Sequence, residues 1–127
     1  MEIKKLTAKQ YRQNLLRPWQ KYHAKKTTIN GTTYDSKKEA KRGVELEHLE
    51  RIGAIQNLQR QVSFILQEAY TNNKGEHIRA ITYVADFVYE QGSKTIVEDT
   101  KGIQTDVFKI KKKLFEKKYP EYYFRVS

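Results

Sequence analysis

Ala85-Asp86-Phe87, a turn at Gln91-Gly92-Ser93, and then Val97-Glu98-Asp99-Thr100-Lys101-Gly102 are the residues on which the reading of this chain rests. The pattern predicts a long strand from Ile78 to Glu90 and an antiparallel partner from Lys94 to Lys101. Residues i and i+2 of a strand share a face. Thr95, Val97, Asp99 and Lys101 therefore project together, and Ile96, Glu98 and Thr100 project the other way. Asp99, not Glu98, is the acid expected beside Lys101. On the preceding strand Val84, Asp86 and Val88 are expected on the face opposite Tyr83, Ala85, Phe87 and Tyr89, and the hairpin carries Asp86 towards Asp99 and Lys101. An unpaired carboxylate among largely apolar neighbours is costly. A hard divalent cation would remove the cost and activate a water. An ordinary salt bridge to Lys101 at a sheet edge is the plainer alternative.

Working outward, Ser36-Lys37-Lys38-Glu39 has the form of a capping box and opens a helix to about Ile52. Ala40, Val44, Leu46, Leu49 and Ile52 make its apolar side, and Gly53 stops it. Thr27 to Tyr34 reads as a hairpin around Asn30-Gly31. Leu58 to Leu66 reads as a strand, and Asn72-Asn73-Lys74-Gly75 as a turn. Beyond the opening stretch, Gln104 to Lys118 predicts a second helix with Val107, Phe108, Ile110, Leu114 and Phe115 facing inward. Pro120 follows it, and Tyr122 to Val126 is a last strand. Thr7-Ala8-Lys9-Gln10 opens a shorter helix to about Leu16, stopped by Pro18. Residues 1–20 are read as a basic arm and residues 21–127 as one domain. The order helix, three strands, helix, strand gives an α+β chain.

No cysteine is present, which excludes disulfides and thiolate metal sites. The histidines His23, His48 and His77 are scattered, which argues against zinc. No apolar run approaches the ~20 residues of a membrane span, and Met1-Glu2-Ile3-Lys4-Lys5 is not a secretory signal. A soluble cytoplasmic protein is expected. The net charge is +10, unevenly spread. Residues 1–33 carry eight basic and one acidic side chain (+7), residues 34–66 six and five (+1), residues 67–100 three and six (−3), and residues 101–127 eight and three (+5). An acidic centre between basic flanks suits a metal site within a surface that holds a polyanion. Lys25 and Lys26 ahead of the hairpin, and Lys109, Lys112, Lys113 and Lys117 on the second helix, are the candidate phosphate contacts. Such contacts position a nucleic acid without reading it. A solubilising lysine face is the alternative.

Asp86, a hairpin, then Asp99-Thr100-Lys101 resembles the signature of the PD-(D/E)XK nuclease superfamily, with Ala85 where that signature has proline. More of the chain is similar to a family of small, mostly uncharacterised phage and prophage proteins placed in that superfamily: Tyr22-His23-Ala24-Lys25-Lys26, Gly31 through Tyr34-Asp35-Ser36-Lys37-Lys38-Glu39-Ala40, Arg79 to Phe87, and Val97 to Gly102. The likeness spans about residues 20–126. It implies a restriction-endonuclease-like αβββαβ core, a mixed central sheet flanked by helices. It implies that Asp86, Asp99 and the backbone carbonyl of Thr100 ligate Mg²⁺, with Mn²⁺ as a substitute, and that Glu39 joins them directly or through water. Gln61 is implied as support for the site. Lys101, an ammonium beside two carboxylates, would orient the attacking water. For Glu39 the capping box supplies a purely structural alternative, and for Gln61 an ordinary polar residue at a strand start does so.

The expected function is that of a metal-dependent DNA endonuclease of phage recombination, replication or packaging, with no recognisable base-reading module and so selective for structure, such as a branched or Holliday junction, or only weakly for sequence; a restriction-like or DNA-packaging nuclease fits the charge pattern nearly as well. The likeness implies a phage or prophage source, a bacterial host cytoplasm and a homodimer. The rival readings are a non-catalytic nucleic-acid-binding protein on the same fold, and an interaction protein of a phage complex that uses its N-terminal arm.

Overall fold

A computed structural model describes residues 26–29 and 31–127. The short helix expected at Thr7–Leu16, the arm, Lys25 and Asn30 lie outside the described residues. β1 (Thr27–Ile29) and β2 (Thr32–Tyr34) form an antiparallel hairpin in which Gly31 takes φ +81°. That left-handed backbone is one glycine adopts at no steric cost. Ser36 is extended, and its hydroxyl accepts the Glu39 N–H at 3.1 Å, which opens α1 (Lys37–Arg51). The helix ends at Ile52, and Gly53 turns the chain at φ +79°.

β3 (Gln56–Gln67), β6 (Ile81–Gln91) and β7 (Lys94–Asp99) follow as an antiparallel run. Between β3 and β6 lies a small ribbon, β4 (Tyr70–Thr71) paired with β5 (His77–Ile78) around the expected Asn72–Gly75 turn. The strand expected from Ile78 is therefore two pieces, β5 and β6. Thr105 caps α2 (Asp106–Lys118) with its hydroxyl, and β8 (Tyr123–Val126) closes the sheet beside β7 in parallel. The sheet order is β3-β6-β7-β8. The chain is thus α+β, with a mixed sheet between two helices, as its sequence pattern predicts.

Each helix seals one face. Ala40 and Leu46 of α1 pack with Tyr34, Ile55, Phe87, Tyr89 and Ile96. Phe108 and Phe115 of α2 pack with Leu66, Tyr83, Ala85 and Val97. Strict alternation along β6 would keep Tyr83, Ala85, Phe87 and Tyr89 together, as the sequence reading expects, but these residues divide between the two cores. β3 divides in the same way: Leu58 lies on the α1 side, Phe64 and Leu66 on the α2 side. Both strands change face at one level, between the pairs Arg60–Phe87 and Val62–Ala85. That level is occupied by Gln61, whose φ is +55°, opposite Asp86. A left-handed non-glycine residue costs about 1–2 kcal/mol, and such strain clusters where a side chain must be re-aimed.

The helix faces also differ from the expected ones. On α1 the buried residues are Glu39, Ala40, Gly43 and Leu46, and Ile52 is exposed. On α2 only Phe108 and Phe115 are buried, while Val107, Ile110 and Leu114 face outward. The reason is aromatic packing. Phe115 lies 5.0–5.8 Å from Phe64, Tyr83, Tyr119 and Phe124. These rings bury more area than branched aliphatics and rotate the helix towards themselves.

Gly43 meets the ring of Tyr34 so closely that a Cβ there would lie 2.5 Å from the ring. Tyr34 is fully buried and cannot yield. Gly43→Ala should therefore lower stability by about 1–3 kcal/mol in urea denaturation, although alanine is the better helix former.

Candidate active site

Adjacent residues of β7 have opposite fates. Glu98 points to α1, where Arg42 grips it with two hydrogen bonds and the Tyr89 hydroxyl donates a third at 2.6 Å. Arg125 donates in turn to Tyr89. Burial alone would raise the Glu98 carboxyl, but the Arg42 and Tyr89 bonds outweigh it and hold it below the usual carboxylate range. This acid is fully satisfied and structural, on the side the alternation assigns to it.

Asp99, the last residue of β7, points the other way. It is 2% exposed, and Asp86 is 3% exposed. Asp99 Oδ2 accepts from the Tyr83 hydroxyl at 2.7 Å and lies 3.6 Å from Lys101 Nζ. Asp86 Oδ2 accepts from both the backbone N–H and the hydroxyl of Thr100, each at 2.9 Å. The two carboxyl groups meet. Burial, and then the Asp86 carboxyl beside it, push Asp99 well above the ordinary carboxylate range, against the weaker pull of Lys101 and Tyr83. Two like charges held in a dry place disfavour joint ionisation.

The peptide that carries these groups is fixed from outside the motif. Ser127 N–H donates to the Asp99 carbonyl at 3.0 Å, and Lys101 N–H donates to the Ser127 carbonyl at 3.1 Å, so the parallel pairing of β7 with β8 runs on through the motif. Lys101 Nζ rests 4.7 Å from the centroid of the Phe108 ring, a cation–π contact that ties it to α2. Lys38 Nζ donates to the Lys101 carbonyl at 2.6 Å, which ties the motif to α1.

Glu39 is buried in the first turn of α1. Its backbone N–H fills the Ser36 cap, but its side chain does not close the capping box. Glu39 Oε2 instead accepts from Gln61 Nε2 at 3.1 Å and lies 3.5 Å from Arg60. Gln61 stands at the register position opposite Asp86. The structure therefore joins Glu39, Gln61, Asp86, Asp99 and Lys101 across four neighbouring elements. Glu39 is expected to join the aspartates directly or through water; in the structure its side chain contacts Gln61 and Arg60. Among the described residues no three His, Cys, Asp or Glu side chains gather into one ligand set.

The lysines are more dispersed. Lys26, Lys109, Lys113 and Lys117 are exposed. Lys112 is half-buried, paired with Glu116 at 2.9 Å and laid over the Phe124 ring. Tyr83, Lys38 and Arg60 were not anticipated as site residues. Lys38 and Arg60 are direct sequence neighbours of Glu39 and Gln61, which was the available signal. Nothing local marked Tyr83.

Two acids and a lysine of this kind can hold a hard divalent cation and orient a water. Asp86 and Asp99 present oxygens that a cation would neutralise; with the Thr100 carbonyl, next in the chain after Asp99, the donor set would be all oxygen and suits Mg²⁺ or Mn²⁺. A family described as Protein of unknown function (DUF1064) matches the chain over residues 19–126. No curated protein and no solved structure is similar to it.

The raised Asp99 carboxyl fixes a pH dependence. Its proton is held more tightly folded than unfolded, so its contribution to stability is full below the ordinary carboxylate value of ~3.9 and is lost as pH rises through the raised folded value. Asp99→Asn should stabilise the metal-free chain by about 0.5–2 kcal/mol at pH 8, a gain of the size usual when a functional site is neutralised. The gain should shrink towards pH 4 in melting curves taken across that range.

Proposed function

We propose that the chain, which belongs to a family of unknown function (DUF1064), is a metal-dependent DNA endonuclease that hydrolyses phosphodiester bonds. One observation carries the reading: the buried Asp86 and Asp99 carboxyls are pressed together with Lys101 at their rim. A structural ion pair would match one acid to one base, as Arg42 and Glu98 do on the opposite face. Here two buried acids meet instead, with Lys101 beside them, and a divalent cation would favour the ionised form of both.

Asp86, Asp99 and the Thr100 carbonyl would hold the cation, which supplies charge neutralisation of the phosphate and a more acidic water. The protein's own residues do the rest. Thr100 donates twice to Asp86 and so fixes the orientation of its carboxyl. Tyr83 does the same for Asp99. Lys101, steadied by the Phe108 ring, keeps its ammonium where it can orient the attacking water and touch the phosphate. Gln61 relays Glu39 to the same place and can order a further water. The exposed lysines and the +10 net charge supply sequence-independent attraction for a polyanion. A structure-selective cut, with branched DNA among the substrates, follows from contacts of this kind, which position without reading bases.

A cleavage panel of junction, fork, flap, duplex and single strand, with Mg²⁺ or Mn²⁺, tests the reading. Wild type should cut at least one DNA substrate only when metal is added. Asp86→Ala should abolish cutting. Lys101→Ala should slow it by about 10²–10³-fold. Gln61→Ala, one step further from the cation, should cost less. Mg²⁺ should raise the melting temperature of wild type and not of Asp86→Ala. DNA binding without cutting under every condition would make the chain a nucleic-acid-binding protein instead.

A further inference from the structure

Helix α2 has a second apolar side that the sheet does not cover. Ile103, Val107, Ile110 and Leu114 are 63%, 57%, 58% and 38% exposed. Val107, Ile110 and Leu114 have the three- and four-residue spacing of a coiled-coil seam, and Ile103 is an exposed apolar residue of the loop just ahead of the helix. The sheet-facing side, made by Phe108 and Phe115, is a different one. A solvent face on a lysine-rich helix has no local use for three β-branched residues and a leucine, and an exposed stripe of this kind marks a contact surface.

The charges bordering the stripe indicate its occupant. One border carries Asp106, in the first turn, and Lys113, two turns on. In an antiparallel helix pair these positions meet their own counterparts, so Asp106 faces Lys113 of the partner subunit, twice over by symmetry. A parallel pair would set as many like charges together (Lys113 with Lys118) as opposite ones (Asp106 with Lys111). The other border holds Gln104, Lys111 and Lys118: the uncharged Gln104 meets Lys118, which lies 3.8 Å from Glu68 of its own chain, and Lys111 meets its own counterpart at the axis, one like pair against the two opposite pairs of the first border.

We propose that the Ile103–Leu114 stripe is a homodimer interface in which two copies of α2 pack antiparallel about a two-fold axis, with Asp106 paired to Lys113 of the partner subunit. The contact is isologous and closes on itself. It begins two residues after Lys101, so each candidate active site adjoins the rim of the interface. Lys113 then serves the dimer rather than the substrate. The interface rests on the surface of α2 alone and stands or falls independently of the nuclease reading: a dimer that cuts nothing, or a monomer that cuts, would separate the two.

Sedimentation equilibrium of the full chain over a wide concentration range is the test. The expected result is a mass of twice 15.1 kDa that falls on dilution, because a four-residue seam is a small interface. Ile110→Glu should give the monomer mass where wild type is dimeric, with an unchanged far-UV circular dichroism spectrum. Asp106→Lys should weaken association at least tenfold, and adding Lys113→Asp to it should restore the dimer. A wild-type monomer at every concentration overturns the proposal. So does a dimer indifferent to Ile110→Glu, including one that disappears only when residues 1–25 are deleted. Should Ile110→Glu fail to fold, the exposed charge pair decides: restoration supports the interface, and failure to restore it overturns it.

Discussion

The rest of the structure depends on the burial of two carboxyl groups against each other. Asp86 and Asp99 come from neighbouring strands, lie almost wholly out of solvent, and repel. Ordinary folding removes such a pair. Here the surroundings hold it: Thr100 donates twice to one acid, Tyr83 donates to the other, and Ser127 pins the peptide on both sides of Thr100. These bonds hold the two acids in place, and the cost of charging both appears as the raised Asp99 carboxyl. An arrangement that costs stability and persists is the kind expected of a site with work to perform.

Glu98 supplies the internal comparison. It is one residue away, buried to the same degree, and borne on the same strand. Arg42 and Tyr89 bring it below the usual carboxylate range, whereas Asp99 stands well above it. Burial acts in the same direction on both. The difference is the neighbour, a guanidinium in one case and a second carboxyl in the other. One sheet thus carries an acid–guanidinium pair on its α1 face and an acid–acid pair on its α2 face. The first fastens α1, which carries Glu39 and Lys38, to the sheet.

The element order and the division of Glu98 from Asp99 were legible in the sequence, because both follow from a period of two along β7 and from the caps at Ser36 and Gly53. The face change was not. Period-two counting assumes an unbroken pleat, and Gln61 at φ +55° breaks it in β3 while β6 follows at Asp86. The count therefore placed Phe87 with Ala85, when they lie in different cores. Glu39 was legible as a position but not as a geometry: the same residue satisfies the start of a capping box with its backbone and leaves it with its side chain. On α2 the apolar spacing fitted two faces at once. Only the cluster of rings around Phe115, assembled from β3, β6 and β8, decides which face turns inward, and no window along the helix contains those rings.

That ambiguity of α2 has a physical consequence. By turning two phenylalanines inward, α2 supports the lysine of the site through Phe108 and packs the sheet through Phe115. The aliphatics displaced from the core then form a continuous line outside, starting at Ile103 in the loop that leaves the motif. The orientation of Lys101 and the exposure of the seam are consequences of one rotation about the helix axis. A substitution that tips this rotation, for instance one that shrinks Phe115, would disturb both together, even though neither contains the altered residue.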